Sequence, residues 1–336
     1  MSVYRVLLLV LCLTVGIGAS SSPASIERKA GYRLLIYYGS PEGINDVWDV
    51  GKAAEIFAEY DYIVLGAGLE ESKHSYHDST IEVIKVTKEL HPDVVIFGYV
   101  DLGVTTDNHS MAVLQDKTRK WKELGADGIF LDDAGYDYHV SRSRLNETVK
   151  FIHNNGMSAF VNAWRPDDIM GSSFDRVYNP RMQVTLLDER DYYLVEDFML
   201  PIDVSNPMSE SVFRPKFKTK MDKSLYYRNK LGIRLMSVSV IDYRTFSESA
   251  VRKFFRMNEA GSGVFSLDAY GVAPTHFSAA KPHQNEVRLF PYMENYMDYY
   301  DRKGKVIAKY NNQDFARDSF RVHSVKGLHY YNYPRQ

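Results

Sequence analysis

The chain has 336 residues, 45% of them hydrophobic, and its 41 Lys and Arg against 43 Asp and Glu leave a net charge of −2. That length and apolar content suit one barrel-sized domain with an appendage and exclude a chain that is disordered throughout. The basic residues are scattered rather than striped, which argues against a polyanion-binding face and so against nucleic acid as a partner.

In chain order, the first signal is at the N-terminus. Arg5 is the only charge before an apolar run from Val6 to Ile17, and the small residues Gly18, Ala19 and Ser20 follow. Residues 1–24 therefore read as a secretory signal and the start of a linker, which places the protein outside the cell. The run is shorter than the roughly 18 residues a membrane span needs, so no membrane partner is expected beyond it. A retained anchor is the alternative. Cys12 is the only cysteine and lies inside this segment, behind Leu11, which does not suit a lipidation site. A cleaved chain would have no disulfide, no thiol nucleophile and no thiolate metal site. Asn108-His109-Ser110 and Asn146-Glu147-Thr148 fit the glycosylation sequon.

After the Ser-rich linker Ser20–Lys29, strand-like runs appear at Arg33–Gly39, Tyr62–Gly68, Val94–Val100, Gly128–Asp133 and Ser158–Trp164. Three more are expected at Tyr192–Phe198, Arg234–Ile241 and Gly263–Asp268. Most are continuous apolar runs, the pattern of parallel strands buried on both faces. Helices are expected between them. Ser79–Glu82 and Thr245–Glu248 fit capping boxes, Pro92 stops the first of these helices, and Leu145, Val149 and Ile152 share one face of another before Asn154-Asn155-Gly156 ends it. Alternating β and α units predict a parallel sheet with right-handed crossovers, and eight units predict an α/β fold of the (β/α)8 TIM-barrel type over residues 31–300. Arg176–Asn179 is read as a piece of the long fifth connection, not a ninth strand. Residues 301–336, with a turn at Asp301-Arg302-Lys303-Gly304, are expected to form a small C-terminal β-hairpin and tail.

A barrel of this kind gathers its chemistry at the C-terminal ends of its strands. There the fourth strand brings Asp132 and Asp133 and the sixth brings Glu196 and Asp197. Successive strand residues face opposite sides, so one member of each pair should enter the pocket. Two carboxylates at one mouth are the equipment for cleaving a glycosidic bond, one as nucleophile or base and one, with raised pKa, as general acid. A separation of about 5–5.5 Å would mean retention of anomeric configuration and one above about 6.5 Å inversion. Tyr38, Tyr99, Asp101, Asp133, Asn162, Trp164, Asp197, Asp268 and Tyr270 are the expected sugar contacts, although with 25 tyrosines any given one is more often core or rim. The acidic rim suits a cationic amino sugar. His74 and His77 resemble a metal pair but fall in a loop before a helix; no metal and no cofactor is expected. No phosphate-binding fingerprint or nucleophile elbow is present.

The segments LLIYYG, FGYVDLG, GADGIFLDD and FVNAW, over about Tyr32 to Tyr300, resemble the family-114 glycoside hydrolases, endo-α-1,4-polygalactosaminidases, and the neighbouring spherulin 4-like barrels. In that family an Asp ending strand four is the nucleophile and a Glu ending strand six the acid/base. The resemblance implies those roles for Asp132 and Glu196, a retaining mechanism, and an α-linked galactosamine-containing polysaccharide as partner and substrate. The chain departs from the family at Gly103-Val104, where a Gly-Glu pair is common, and at Asp133, where an Asn is common. The competing expectations are a secreted barrel that binds glycans without cleaving them and, last, a metal-dependent phosphodiesterase-type barrel.

Overall fold

The computed structural model describes residues 32–198, 217–265, 267–274 and 285–290. Among these, the apolar runs form parallel strands β1 (Tyr32–Tyr37), β2 (Tyr62–Leu65), β3 (Val95–Asp101), β4 (Gly128–Asp132), β5 (Ser158–Val161), β6 (Tyr192–Glu196), β7 (Arg234–Ile241) and β8 (Ala269–Pro274). Each pairs with its sequence neighbours, and β1 also pairs with β8, so the sheet closes and no edge is left unpaired. Helices α1 (Val50–Phe57), α2 (His77–Leu90), α3 (Met111–Glu123), α4 (Arg142–Asn154), α5 (Pro166–Met170), α6 (Phe217–Leu231) and α7 (Glu248–Phe265) lie in the connections. This is the (β/α)8 barrel. Helix α4 shows how the layers join: Leu145, Val149 and Ile152 are buried on one face, and Gly156, at φ +72°, ends the turn beyond it.

The barrel interior decides where the site lies. Inside it, Phe97 of β3, Phe130 of β4, Phe160 of β5 and Tyr192 of β6 pack ring on ring, with centroids 5.2 Å apart for Phe97–Phe160, 5.0 Å for Phe130–Phe160 and 5.3 Å for Phe97–Tyr192. Leu34, Ile36, Val64, Leu194, Met236 and Val238 complete this filling. Strand side chains alternate sides with a period of two. Tyr38, Tyr99, Asp132, Asn162 and Glu196 each stand two positions past an inward residue: Ile36, Phe97, Phe130, Phe160 and Leu194. They therefore make the next layer, at the C-terminal mouth, with the aromatic plug as its floor.

The other end is stitched by a fourfold device. An aspartate stands directly before each even-numbered strand, and its carboxylate accepts a backbone N–H from the preceding odd-numbered strand. Arg33 N–H meets Asp61 at 2.7 Å, Ile96 N–H meets Asp127 at 2.9 Å, Ala159 N–H meets Asp191 at 2.8 Å and Leu235 N–H meets Asp268 at 2.8 Å. Charge-assisted bonds to backbone N–H groups are about twice as strong as neutral ones, so four of them set the register at the barrel's base.

Several sequence expectations need correction here. The eighth strand is Ala269–Pro274, not Gly263–Asp268, because the Gly-Val-Phe run is the last turn of α7. Phe265 there is buried against Phe198 and Phe217. The true strand contains Gly, Ala and Pro, residues of low β propensity. Its Gly271 lets β1 approach: a Cβ at that position would lie 2.5 Å from the Leu34 carbonyl oxygen. The expected capping boxes also shift. Ser79 Oγ donates to the Tyr76 carbonyl instead of capping α2, and Ser247 rather than Thr245 receives the Ala250 N–H at 3.4 Å. Arg176–Asn179, as expected, is a piece of the fifth connection and no strand, with an isolated bridge between Asp175 and Asn179. That fifth connection is held by the buried Arg142, which donates to the carbonyls of Gly171, Asp168 and Gln183. Beyond the barrel, Val287 N–H donates to Asn45 Oδ1 at 2.7 Å, docking residues 285–290 beside β1. The expected signal over 1–24 and the hairpin and tail over 301–336 lie outside the described residues. Among those described, no helix is long and apolar enough to cross a membrane.

Candidate active site

Asn162, just past β5, connects the two acids. Its Nδ2 donates to Asp132 Oδ1 at 2.9 Å and to Glu196 Oε2 at 3.1 Å. Two oxygens bonded to one nitrogen can be no further apart than bonds of 2.9 Å and 3.1 Å laid end to end, about 6.0 Å. One oxygen of each acid is thus close enough for a retaining pair, whose carboxyl groups stand ~5–5.5 Å apart.

The neighbouring acids diverge from this pair. Asp133 and Asp197 both take left-handed backbone, at φ 53° and 59°, a conformation Asp tolerates better than most residues. The chain thus turns sharply after each inward acid. Asp133 lends its N–H to Asp132 Oδ1 at 3.0 Å, while its own carboxylate accepts a bond from Tyr138. Asn162 therefore places Asp132, and not Asp133, beside Glu196.

The two acids titrate in different surroundings. Burial pushes the Asp132 carboxyl up, and bonds from Asn162, the Asp133 N–H and Tyr99 pull it back, against the charge of Asp101. Burial also pushes Glu196 up; Asn162 and the charge of Lys220 oppose it, and the charges of Asp132 and Asp197 add to it. Three donors and the opposing charge of Asp101 act on Asp132, whereas Glu196 has the one amide, the cation Lys220 and two negative neighbours. Both carboxyls are pushed up by burial and titrate as a coupled pair. Asp133 is raised to about 7, by burial first and then by Asp132 and Asp101.

The remaining expected residues fall into four groups. Tyr38 and Tyr99 flank the acids, their rings edge to face with centroids 5.3 Å apart. Trp164 and Asp197 line a cavity of about 400 Å³ that opens beside Glu196, together with Asp167, Val195 and Lys220. Asp101 is buried and its Oδ1 accepts from Gly103 N–H at 2.7 Å and Thr106 Oγ1 at 2.6 Å, so it shapes the loop after β3. Asp268 and Tyr270 are corrections: they stand before and at the start of β8, at the opposite end of the barrel from the acids. Asp268 is one of the four basal aspartates there. Their misplacement follows from the shifted eighth strand.

Two further residues belong to the site. Lys220, in the first turn of α6, donates to the Glu196 backbone oxygen at 3.2 Å and lies 5.1 Å from the centre of the Trp164 ring. Burial lowers its pKa to about 8, against the pull of Glu196 and Asp197. In the sequence it sits in a Lys-Thr-Lys run that reads as a solvated helix face. Tyr138, the partner of Asp133, carries no signal that sets it apart among so many tyrosines.

His74 and His77 serve their loop: His74 Nδ1 accepts from Tyr76 N–H, and His77 Nδ1 bonds the Leu69 carbonyl. Among the described residues, one group could offer three ligand atoms to a metal ion, His153, Asp188 and Asp191. It lies at the barrel base, where the Asp191 carboxylate already accepts from Ala159 N–H and Asp188 N–H, and Arg190 pairs with Asp188.

No protein-family model and no curated protein matches the chain. Solved structures that resemble it include glycoside hydrolase barrels. Cel5A of Thermotoga maritima, in complex with mannotriose, is 10% identical, with 74% of this chain and 92% of that one covered and a TM-score of 0.47. A GH5-4 broad-specificity endoglucanase from an uncultured bacterium is 10% identical, over 77% of this chain and 84% of that one, at a TM-score of 0.39. An HpcH/HpaI aldolase from Desulfitobacterium hafniense is 11% identical, over 84% of this chain and 95% of that one, at 0.40. The resemblance is between barrels and selects no chemistry.

Proposed function

We propose that the protein is a secreted glycoside hydrolase that cleaves an α-linked, galactosamine-containing polysaccharide with retention of configuration. The observation that carries this reading is the single amide nitrogen of Asn162 bonded to both Asp132 and Glu196. The resemblance of GADGIFLDD and FVNAW to the family-114 hydrolases supports the same two roles, and the N-terminal apolar segment supports secretion.

In the first step an Asp132 oxygen forms a bond to the anomeric carbon as the glycosidic C–O bond breaks. Glu196 gives its proton to the departing oxygen, and an ester links the sugar to Asp132. In the second step Glu196, now ionised, takes a proton from water. The water oxygen bonds the anomeric carbon and Asp132 leaves as carboxylate. Two displacements on one carbon restore its configuration. Tyr99 and the Asp133 N–H hold Asp132 ionised for attack. Burial, with the charges of Asp132 and Asp197, raises Glu196, which favours the proton it must donate.

The test is release of new reducing ends from a deacetylated α-1,4-galactosamine polymer and a wider polysaccharide panel. Wild type should release them, and Asp132→Asn and Glu196→Gln should each lose about a thousandfold or more. Full activity in either variant contradicts the assignment. Binding without release from any polymer favours a non-catalytic glycan-binding barrel.

A further inference from the structure

The two flanks of the candidate site differ in charge. Around Asp132, like charges gather: Asp101 acts on Asp132, and Asp101 and Asp137 both act on Asp133. The cavity beside Glu196 is different, because Arg165, Lys220 and Lys223 share its lining with Glu196, Asp197 and Asp167. Asp167 is already engaged there by Lys223, at 3.2 Å, and by the Tyr227 hydroxyl, at 2.6 Å. Lys220 is held in place by the Glu196 backbone oxygen and the Trp164 ring.

The position of this cavity follows from the chemistry. Asp132 attacks the sugar that keeps the anomeric carbon, and Glu196 protonates the oxygen of the sugar that departs. The cavity is lined by Glu196 and not by Asp132, so it lies on the departing sugar's side. Its volume of about 400 Å³ falls within the range of small-molecule pockets. The half-exposed Trp164 offers a sugar ring an apolar edge there.

We infer that this cavity is the leaving-group subsite and that Lys220 makes it select an uncharged or N-acetylated sugar over a protonated amino sugar. The inference rests on the hydrolase reading above. A fixed ammonium beside the acid meets a second ammonium with repulsion, whereas an acetamido or hydroxyl group can accept its N–H. Even with the full screening of bulk water, one such like-charge contact at about 3 Å changes affinity by about tenfold. The enzyme would thus cut a partly acetylated polymer where a neutral residue follows a cationic one.

The experiment digests partly deacetylated α-1,4-linked N-acetylgalactosamine polymer with the full-length protein and reads the new non-reducing ends by mass spectrometry. Wild type should leave N-acetylated ends in excess. Lys220→Met should raise the share of amino-sugar ends by about tenfold, and Lys220→Arg, which keeps the charge, should hold the wild-type bias. Trp164→Leu should weaken cleavage and, by freeing Lys220 from the ring, reduce the bias without abolishing it. Cleavage with no bias in wild type, or a bias unchanged in Lys220→Met, overturns the subsite and leaves the hydrolase standing. No cleavage of any polymer by wild type overturns both.

Discussion

Removing the Asn162 amide takes a hydrogen bond from Asp132 and Glu196 at once. Both bonds hold the carboxyl pKa values down, so Asn162→Ala should move both upward and carry the pH profile of kcat/KM to higher pH. The rate at the optimum should fall about 100-fold, because the acids lose their common tether. A profile unmoved on the pH axis would show that the amide does not act on the acids. Asp133 makes a separate statement about stability. Burial and like charges hold it at about 7, against 3.8 for an ordinary aspartate. The folded protein therefore keeps a proton there that the unfolded chain releases, and stability should fall as pH rises from about 4 to about 7. Asp133→Asn removes that contribution, so its thermal midpoint should decline less steeply with pH than that of wild type. Equal slopes would contradict it. The paired acids were visible in the sequence, and so was the rule that one of each pair turns inward. Which one does so depends on the phase of the strand, which is read from Phe130 and Leu194 inside the barrel.

At the scale of elements, the close approach of α3 to β3 sets a hard limit. A Cβ at Gly98 would lie 2.0 Å from the Trp121 ring, and Trp121 is fully buried with its Nε1 donating to the Tyr99 carbonyl at 3.1 Å. Gly98→Ala should cost about 1–3 kcal/mol in urea unfolding, since the ring has nowhere to move. An unchanged midpoint would mean that α3 packs more loosely than described. The contact also reaches the site through Tyr99, whose backbone oxygen anchors the ring. The elements that the sequence disclosed best are the long apolar runs of β1 to β7. β8 was hidden because Ala, Gly and Pro give it no strand signature, while the end of α7 imitates one. The fourfold aspartate device was equally hidden. Asp61, Asp127, Asp191 and Asp268 look like loop acids until the odd strand's N–H is seen above each.

For the whole molecule, closing eight strands brings side chains from β1, β3, β4, β5 and β6 onto one ring of positions above the aromatic plug. The proposed reaction class rests on that ring, because one amide of Asn162 joins the carboxyl groups of Asp132 and Glu196 there. The sugar depends on what surrounds it, and Lys220, which borders the cavity, comes from a helix whose sequence shows only a charged face. The most direct measurement is proton NMR of the first product released from an α-linked galactosamine oligomer, before its anomers equilibrate. The proposed retaining pair, with one oxygen of each acid held by bonds of 2.9 Å and 3.1 Å from Asn162, predicts the α-anomer first and the β-anomer only as it mutarotates. The β-anomer as the first product would contradict the account.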